Sequence, residues 1–161
     1  MHQDNDEFRT IRGYELIEKN RQLTASMEDY LEMTFRLARK KGYTRISDIA
    51  SALHVQPPSA SSMIQKLAEM GYIEYKKYGV IALNQQGAEL GAYLLERHHI
   101  IEKFLKMIGV TENVLVETEK IEHNLSSNTV LCLARLAAWL ECNPDWASYL
   151  QNSLKANSAG E

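Results

Sequence analysis

Residues 46–83, ISDIASALHVQPPSASSMIQKLAEMGYIEYKKYGVIAL, leave few folds open to this chain. Ile46, Ile49, Ala50 and Leu53 recur at i, i+3, i+4 and i+7, which predicts a helix with one apolar face. Residues 54–56 have room only for a turn. Pro57 and Pro58 then open a second helix, where a missing N–H costs nothing. Ala60, Ile64, Leu67 and Met70 form its apolar stripe, and Gly71 suits the residue just past its end. The other face carries Ser59, Ser61, Ser62, Gln65 and Lys66, short polar groups with one cation that fit a major groove. Residues 72–83 read as two short strands about a Lys77-Tyr78-Gly79 turn. Lys76, Lys77 and Tyr78 stand at its tip, where a wing meets phosphates. The pattern predicts a winged helix-turn-helix that binds double-stranded DNA through Pro57, Ser59, Ser61, Ser62, Gln65, Lys66, Lys76, Lys77 and Tyr78. Two helices packed for stability alone are the bland alternative, and the basic hairpin that follows them weighs against it.

The rest of the chain is read around this module. Its 161 residues, 45% hydrophobic, suit one or two small domains. A net charge of −3 excludes a polycation that coats nucleic acid. Residues 22–95 hold eight Lys and Arg against seven Asp and Glu, while residues 96–161 hold six against nine. DNA binding by so neutral a module needs local patches, doubled in a dimer. No apolar run approaches the roughly 20 residues of a membrane span. The polar start is no signal peptide, so a cytoplasmic protein is expected. Cys132 and Cys142 read as buried or partly buried thiols of a reducing compartment. Motifs for nucleotide phosphates or a nucleophilic serine are absent.

Phe8, Ile11, Leu16 and Ile17 give a loose helical pattern within an N-terminal extension, 1–22. Ser26 opens the next predicted helix, which buries Tyr30, Leu31, Leu37 and Ala38 and closes at Gly42. It carries Asp29 and Glu32, one turn apart. Asp29 also fits a capping box with Ser26, and Glu32 a solvated surface. Asn84 caps a long helix whose seam runs Leu90, Leu94, His98, Ile101, Leu105 and Ile108. His98 stands where an apolar residue belongs, and a core histidine with one hydrogen bond is its plain explanation. Thr111 precedes a helix carrying Glu119, Glu122 and His123 at i, i+3 and i+4, on one side. A charged surface edge would look the same. The helix from Ser126 or Ser127, with Val130, Leu131, Leu133, Leu136 and Leu140, is apolar nearly all round and reads as a subunit interface of a homodimer. A last helix carries Trp146, Tyr149, Leu150 and Leu154.

A shared explanation joins Asp29, Glu32, His98, Glu119, Glu122 and His123: they converge on metal. Four carboxylates and two imidazoles, without thiolate, offer enough bridging oxygens for two ions per subunit. Oxygen-rich ligation suits Mn²⁺ better than Zn²⁺ or Cu⁺.

At these residues the chain resembles the DtxR/MntR family of metalloregulators, in its manganese-sensing branch. The resemblance runs from about Thr24 to Leu150. It is carried by SMEDYLE at 26–32, RISDIASAL at 45–53, MIQKL at 63–67, Arg97-His98, FLKMIGV at 104–110 and the ExxEH of 119–123. It implies a mainly α fold: a winged helix-turn-helix with a small β-hairpin wing over 23–84, then an all-helical metal-binding and dimerisation domain over 85–161. It implies a homodimeric, Mn²⁺-activated repressor of manganese uptake genes that binds operator DNA, with the six residues above as ligands. No small-molecule substrate, membrane or enzymatic activity is expected. Iron-sensing relatives tend to carry Met at the position of Asp29 and Cys at that of Glu119, so this ligand set favours manganese, with Fe²⁺ as the alternative activator. The extension is longer than in short members, and an SH3-like third domain is missing. Two rivals remain at this level. A dinuclear metallohydrolase could use the same ligands on a bridging water, but it would leave the helix-turn-helix idle and lacks a visible general base. A metal-independent repressor would make all six residues structural.

Overall fold

A computed structural model describes residues 23–146 together with 148, 149 and 152. The pattern at Phe8, Ile11, Leu16 and Ile17, and the places of Leu150 and Leu154, lie outside the described residues. Helix α1 (Ala25–Ala38) leads to strand β1 (Thr44–Arg45), α2 (Ile46–Ala52), α3 (Pro57–Glu69), β2 (Ile73–Lys76), β3 (Val80–Leu83), α4 (Gln85–Met107), α5 (Val114–Glu122) and α6 (Ser127–Cys142). The chain divides into two compact units between Leu95 and Glu96, within α4.

The N-terminal unit forms around the expected helix pair. His54 takes a left-handed φ of 54° between α2 and α3, and the Val55 amide donates to the Ala50 carbonyl at 2.9 Å. Pro57 starts α3, and Gly71 follows it at φ 81°. Ile49, Ala50, Ala60, Ile64 and Leu67 meet Leu31 of α1 and Leu90 and Leu94 of α4 in one buried cluster. The sheet is three-stranded and antiparallel in the order β1-β3-β2. Strand β1 has no counterpart in the sequence reading, because two residues carry no alternation to detect. It pairs Thr44 with Ile81 and Arg45 with Val80.

Residues with little or no side chain let α4 lie close. A Cβ on Gly87 would stand 2.0 Å from the Tyr72 carbonyl oxygen, and one on Gly91 2.6 Å from the Phe35 Cβ. Asn84 caps α4 as expected, its Oδ1 accepting from the Gly87 amide at 2.9 Å. Two other caps differ. Helix α1 starts ahead of Ser26, with Thr24 as N-cap accepting from the Met27 amide at 3.3 Å, so Ser26 and Asp29 form no capping box. Leu23 and Met27 both pack on the core cluster, which draws the start of the helix back. Helix α5 starts after Asn113 rather than Thr111. Asn113 sits at φ 52°, a conformation Asn tolerates better than most residues.

In the C-terminal unit Ile101, Val130, Ala137 and Leu140 are buried, and Ser126 caps α6 through the Thr129 amide at 3.2 Å. Lys103 of α4 pairs with Glu141 of α6 at 2.7 Å. Leu136, Trp139, Trp146 and Tyr149 are exposed, and the Trp146 ring lies 6.3 Å from that of Trp139 and 6.2 Å from that of Tyr149. Cys132 and Cys142 are free and exposed in this subunit, against the expected burial. Both lie on faces of α6 that the described residues leave exposed. No helix among the described residues is long and apolar enough to cross a membrane.

Candidate metal centre and nucleic-acid interface

The face of α3 that the apolar stripe leaves outward holds Pro57, Ser59, Ser61, Ser62, Gln65 and Lys66, all exposed. Gln65 donates to Glu69 one turn on at 3.2 Å. The wing follows from β-pairing, with Lys76 opposite Val80 and a tight turn over Lys77–Gly79. Lys76 is exposed. Tyr78 and Gly79 are both left-handed, at φ 63° and 69°, and Tyr78 is 89% exposed. A non-glycine residue in this conformation costs about 1 kcal/mol, so the turn holds a fully presented phenol at some expense in stability. Sequence reasoning missed Arg45. It is exposed at the start of the helix-turn-helix, and its Nη1 donates to the Tyr78 carbonyl at 3.4 Å. Only the pairing of β1 with β3 brings it there. Burial raises the phenols of Tyr72 and Tyr75 above their ordinary value, so both remain uncharged near neutral pH.

On α1, Asp29 is half-buried and Glu32 is buried, not solvated. A buried carboxylate needs a partner, and Glu32 has an ion pair with Arg36, one turn along the same helix.

In the C-terminal unit the helical period of α5 puts Glu119, Glu122 and His123 on the side that meets His98 of α4. His98 Nδ1 lies 3.1 Å from Glu122 Oε2 and 3.7 Å from Glu119 Oε1. His123 Nε2 lies 3.6 Å from Glu122 Oε1. The Glu122 side chain is 1% exposed, with one imidazole near each of its oxygens, whereas Glu119 is exposed. His98 is buried, with a hydrogen-bond contact to Glu122 and Glu119 close by. The donor set is two carboxylates and two ring nitrogens within one turn of helix and its neighbour. It fits a divalent cation of hard to intermediate character, and its carboxylates carry the negative charge such a cation needs. Arg97 completes the cluster and was not singled out from sequence beyond its place beside His98. It is 3% exposed, and its Nη2 lies 3.2 Å from His123 Nδ1.

Comparison with known proteins bears on both regions. The model of the N-terminal DNA binding domain of iron dependent repressors matches residues 22–81. That of their metal binding and dimerisation domain matches residues 84–147. The HTH-type transcriptional regulator MntR of Lysinibacillus sphaericus is 45% identical over 131 residues, which is 81% of this chain and 94% of that protein. MntR of Geobacillus thermodenitrificans is 41% identical over 139 residues, covering 86% and 99%. Among solved structures, the metal-dependent transcriptional regulator MtsR superposes with a TM-score of 0.64 at 29% identity, over 71% of this chain and 54% of that one. IdeR of T. acidophilum gives 0.60 at 26% identity, over 67% and 52%. This chain therefore spans about half the length of those two structures.

Proposed function

Since the chain belongs to the iron-dependent repressor family of metal-responsive, DNA-binding transcriptional regulators, we propose that it is a Mn²⁺-activated repressor of manganese uptake genes, acting in the cytoplasm. The observation that carries this reading is Glu122, a buried carboxylate set between the rings of His98 and His123 with Glu119 beside it. The oxygen-rich, thiolate-free donor set supports Mn²⁺, as does the name MntR borne by the relatives. Asp29, Glu32, His98, Glu119, Glu122 and His123 would hold the metal, two ions per subunit. Bound cations would neutralise the carboxylates.

Residues 23–84 then serve as the DNA-binding domain and 85–161 as the metal-binding and dimerisation domain. Without a cation, the carboxylates would repel one another. After loading, the DNA-competent arrangement is preferred, a population shift driven by differential metal affinity. Ser59, Ser61, Ser62, Gln65 and Lys66 lie in the major groove, with Pro57 fixing the entry of α3. Lys76, Lys77 and Tyr78 meet the backbone. Two such surfaces come from a homodimer, and the exposed Leu136, Trp139, Trp146 and Tyr149 supply apolar surface for the second copy.

The test selects duplexes from a random pool with Mn²⁺-loaded protein, then measures their binding by fluorescence anisotropy. Mn²⁺ is expected to tighten binding roughly 10- to 100-fold, and chelation to reverse it. Glu122→Gln should abolish the response while leaving the circular dichroism spectrum intact. Equal affinity with Mn²⁺ and with chelator would make the six residues structural. A stronger response to Fe²⁺ than to Mn²⁺ would make the protein an iron regulator.

A further inference from the structure

Arg97 is a buried cation for which the proposed ligand set has no use. It is 3% exposed, on α4 beside His98, and its Nη2 reaches His123 Nδ1 at 3.2 Å. Guanidinium has five N–H donors and no lone pair, so the contact exists only if Nδ1 presents its lone pair. In a neutral ring the proton then sits on Nε2. That nitrogen lies 3.6 Å from Glu122 Oε1, just outside hydrogen-bond range. The Arg97 contact thus selects the tautomer.

A cation takes a ring nitrogen through its lone pair, and both routes meet Arg97. Through Nδ1, the cation needs the lone pair to which Arg97 donates. Through Nε2, the proton must leave that atom, and in a neutral ring it moves to Nδ1, where the new N–H points at an N–H of the guanidinium. The ring keeps one proton either way, and either way the Arg97–His123 contact breaks. We infer that Arg97 is a resident counter-cation of the centre, one that occupies His123 until a divalent cation displaces it and so sets the concentration at which the centre loads. The α1 carboxylate Glu32 is held in the same manner by Arg36, so guanidinium groups partner donors in both units.

This inference rests on His123 being a ligand, and the test separates the two. Ring ¹H–¹⁵N correlations of the metal-free, full-length wild type should show His123 protonated at Nε2 and bare at Nδ1, with His123→Ala identifying the signals. An Nδ1-protonated ring would overturn the inference without any variant having to fold. Mn²⁺ affinity is then measured by electron paramagnetic resonance. Arg97→Met should bind Mn²⁺ about tenfold more tightly, the scale of one lost charge-assisted hydrogen bond. Arg97→Lys, which keeps the charge, should stay near wild type. An Arg97→Met affinity equal to or weaker than wild type, with His123→Ala weakened, leaves the ligand and removes the counter-cation. If His123→Ala binds Mn²⁺ as wild type does, His123 is no ligand and both readings fall.

Discussion

The two units bury different things. Among the described residues, the largest fully buried side chains of the N-terminal unit are Leu31, Ile49, Ile64, Leu67, Ile81, Leu90 and Leu94, with Thr34 the one polar member. In the C-terminal unit they are Ile101, Val130, Thr118 and Glu122, so half are polar. Large apolar groups in that unit stand outside instead: Leu115, Val116, Leu136, Trp139, Trp146 and Tyr149 are exposed. The first unit closes its own core and presents polar groups to a partner. The second leaves apolar surface for another protein and uses interior space for a carboxylate and its imidazoles. Stability in the first is a property of the subunit. In the second it depends on what binds, whether a second copy or a cation.

The sharpest way to break this contrast is a cavity in each half. Ile64→Ala removes a fully buried side chain from the N-terminal core and should cost about 3 kcal/mol. Chemical denaturation should return the same loss at every protein concentration. A concentration-dependent loss would mean that this unit too relies on association. Next, Trp139→Ser, on the exposed face of α6, should leave the fold intact and weaken self-association by about 2 kcal/mol. Sedimentation at serial dilutions reads this directly, and an unchanged dimer would assign the aromatic face to something other than a second copy. Thr24→Ala removes the α1 cap at a cost of about 1 kcal/mol. Ser26→Ala, outside the cap, should cost less in the same thermal melt.

The smallest effect is also the most specific to the wing. Tyr78→Gly relieves a left-handed tyrosine at φ 63° and should stabilise the unit by about 0.5 kcal/mol. The same change should weaken binding to DNA. A variant that is both more stable and equally tight on DNA would show that the phenol at the tip has no part in recognition.

Much of this molecule is legible from local chemistry. Pro57, Pro58 and Gly71 bound α3 because ring and backbone constraints act within a few residues. The spacing of Glu119, Glu122 and His123 places them on one side of α5 because the helical period does so in any context. Asn84 and Ser126 cap the helices that follow them, as short polar side chains do. The ligand types alone pointed to a hard or intermediate cation.

Other features were beyond the reach of pattern. Two residues of β1 become a strand only because β3 offers its edge. Arg45 reaches the wing turn only through that pairing. Thr24 rather than Ser26 caps α1 because Leu23 and Met27 have a core to enter. Burial of Glu32, Arg97 and Glu122, and exposure of Cys132 and Cys142, depend on neighbours distant in sequence. The amino-acid sequence by itself determined where helices and turns lie and which chemistry each face carries, since these follow from interactions within a turn or two of chain. Only the tertiary structure decided which charges leave water and whom they face, since desolvation and partnering are set by segments that meet in space.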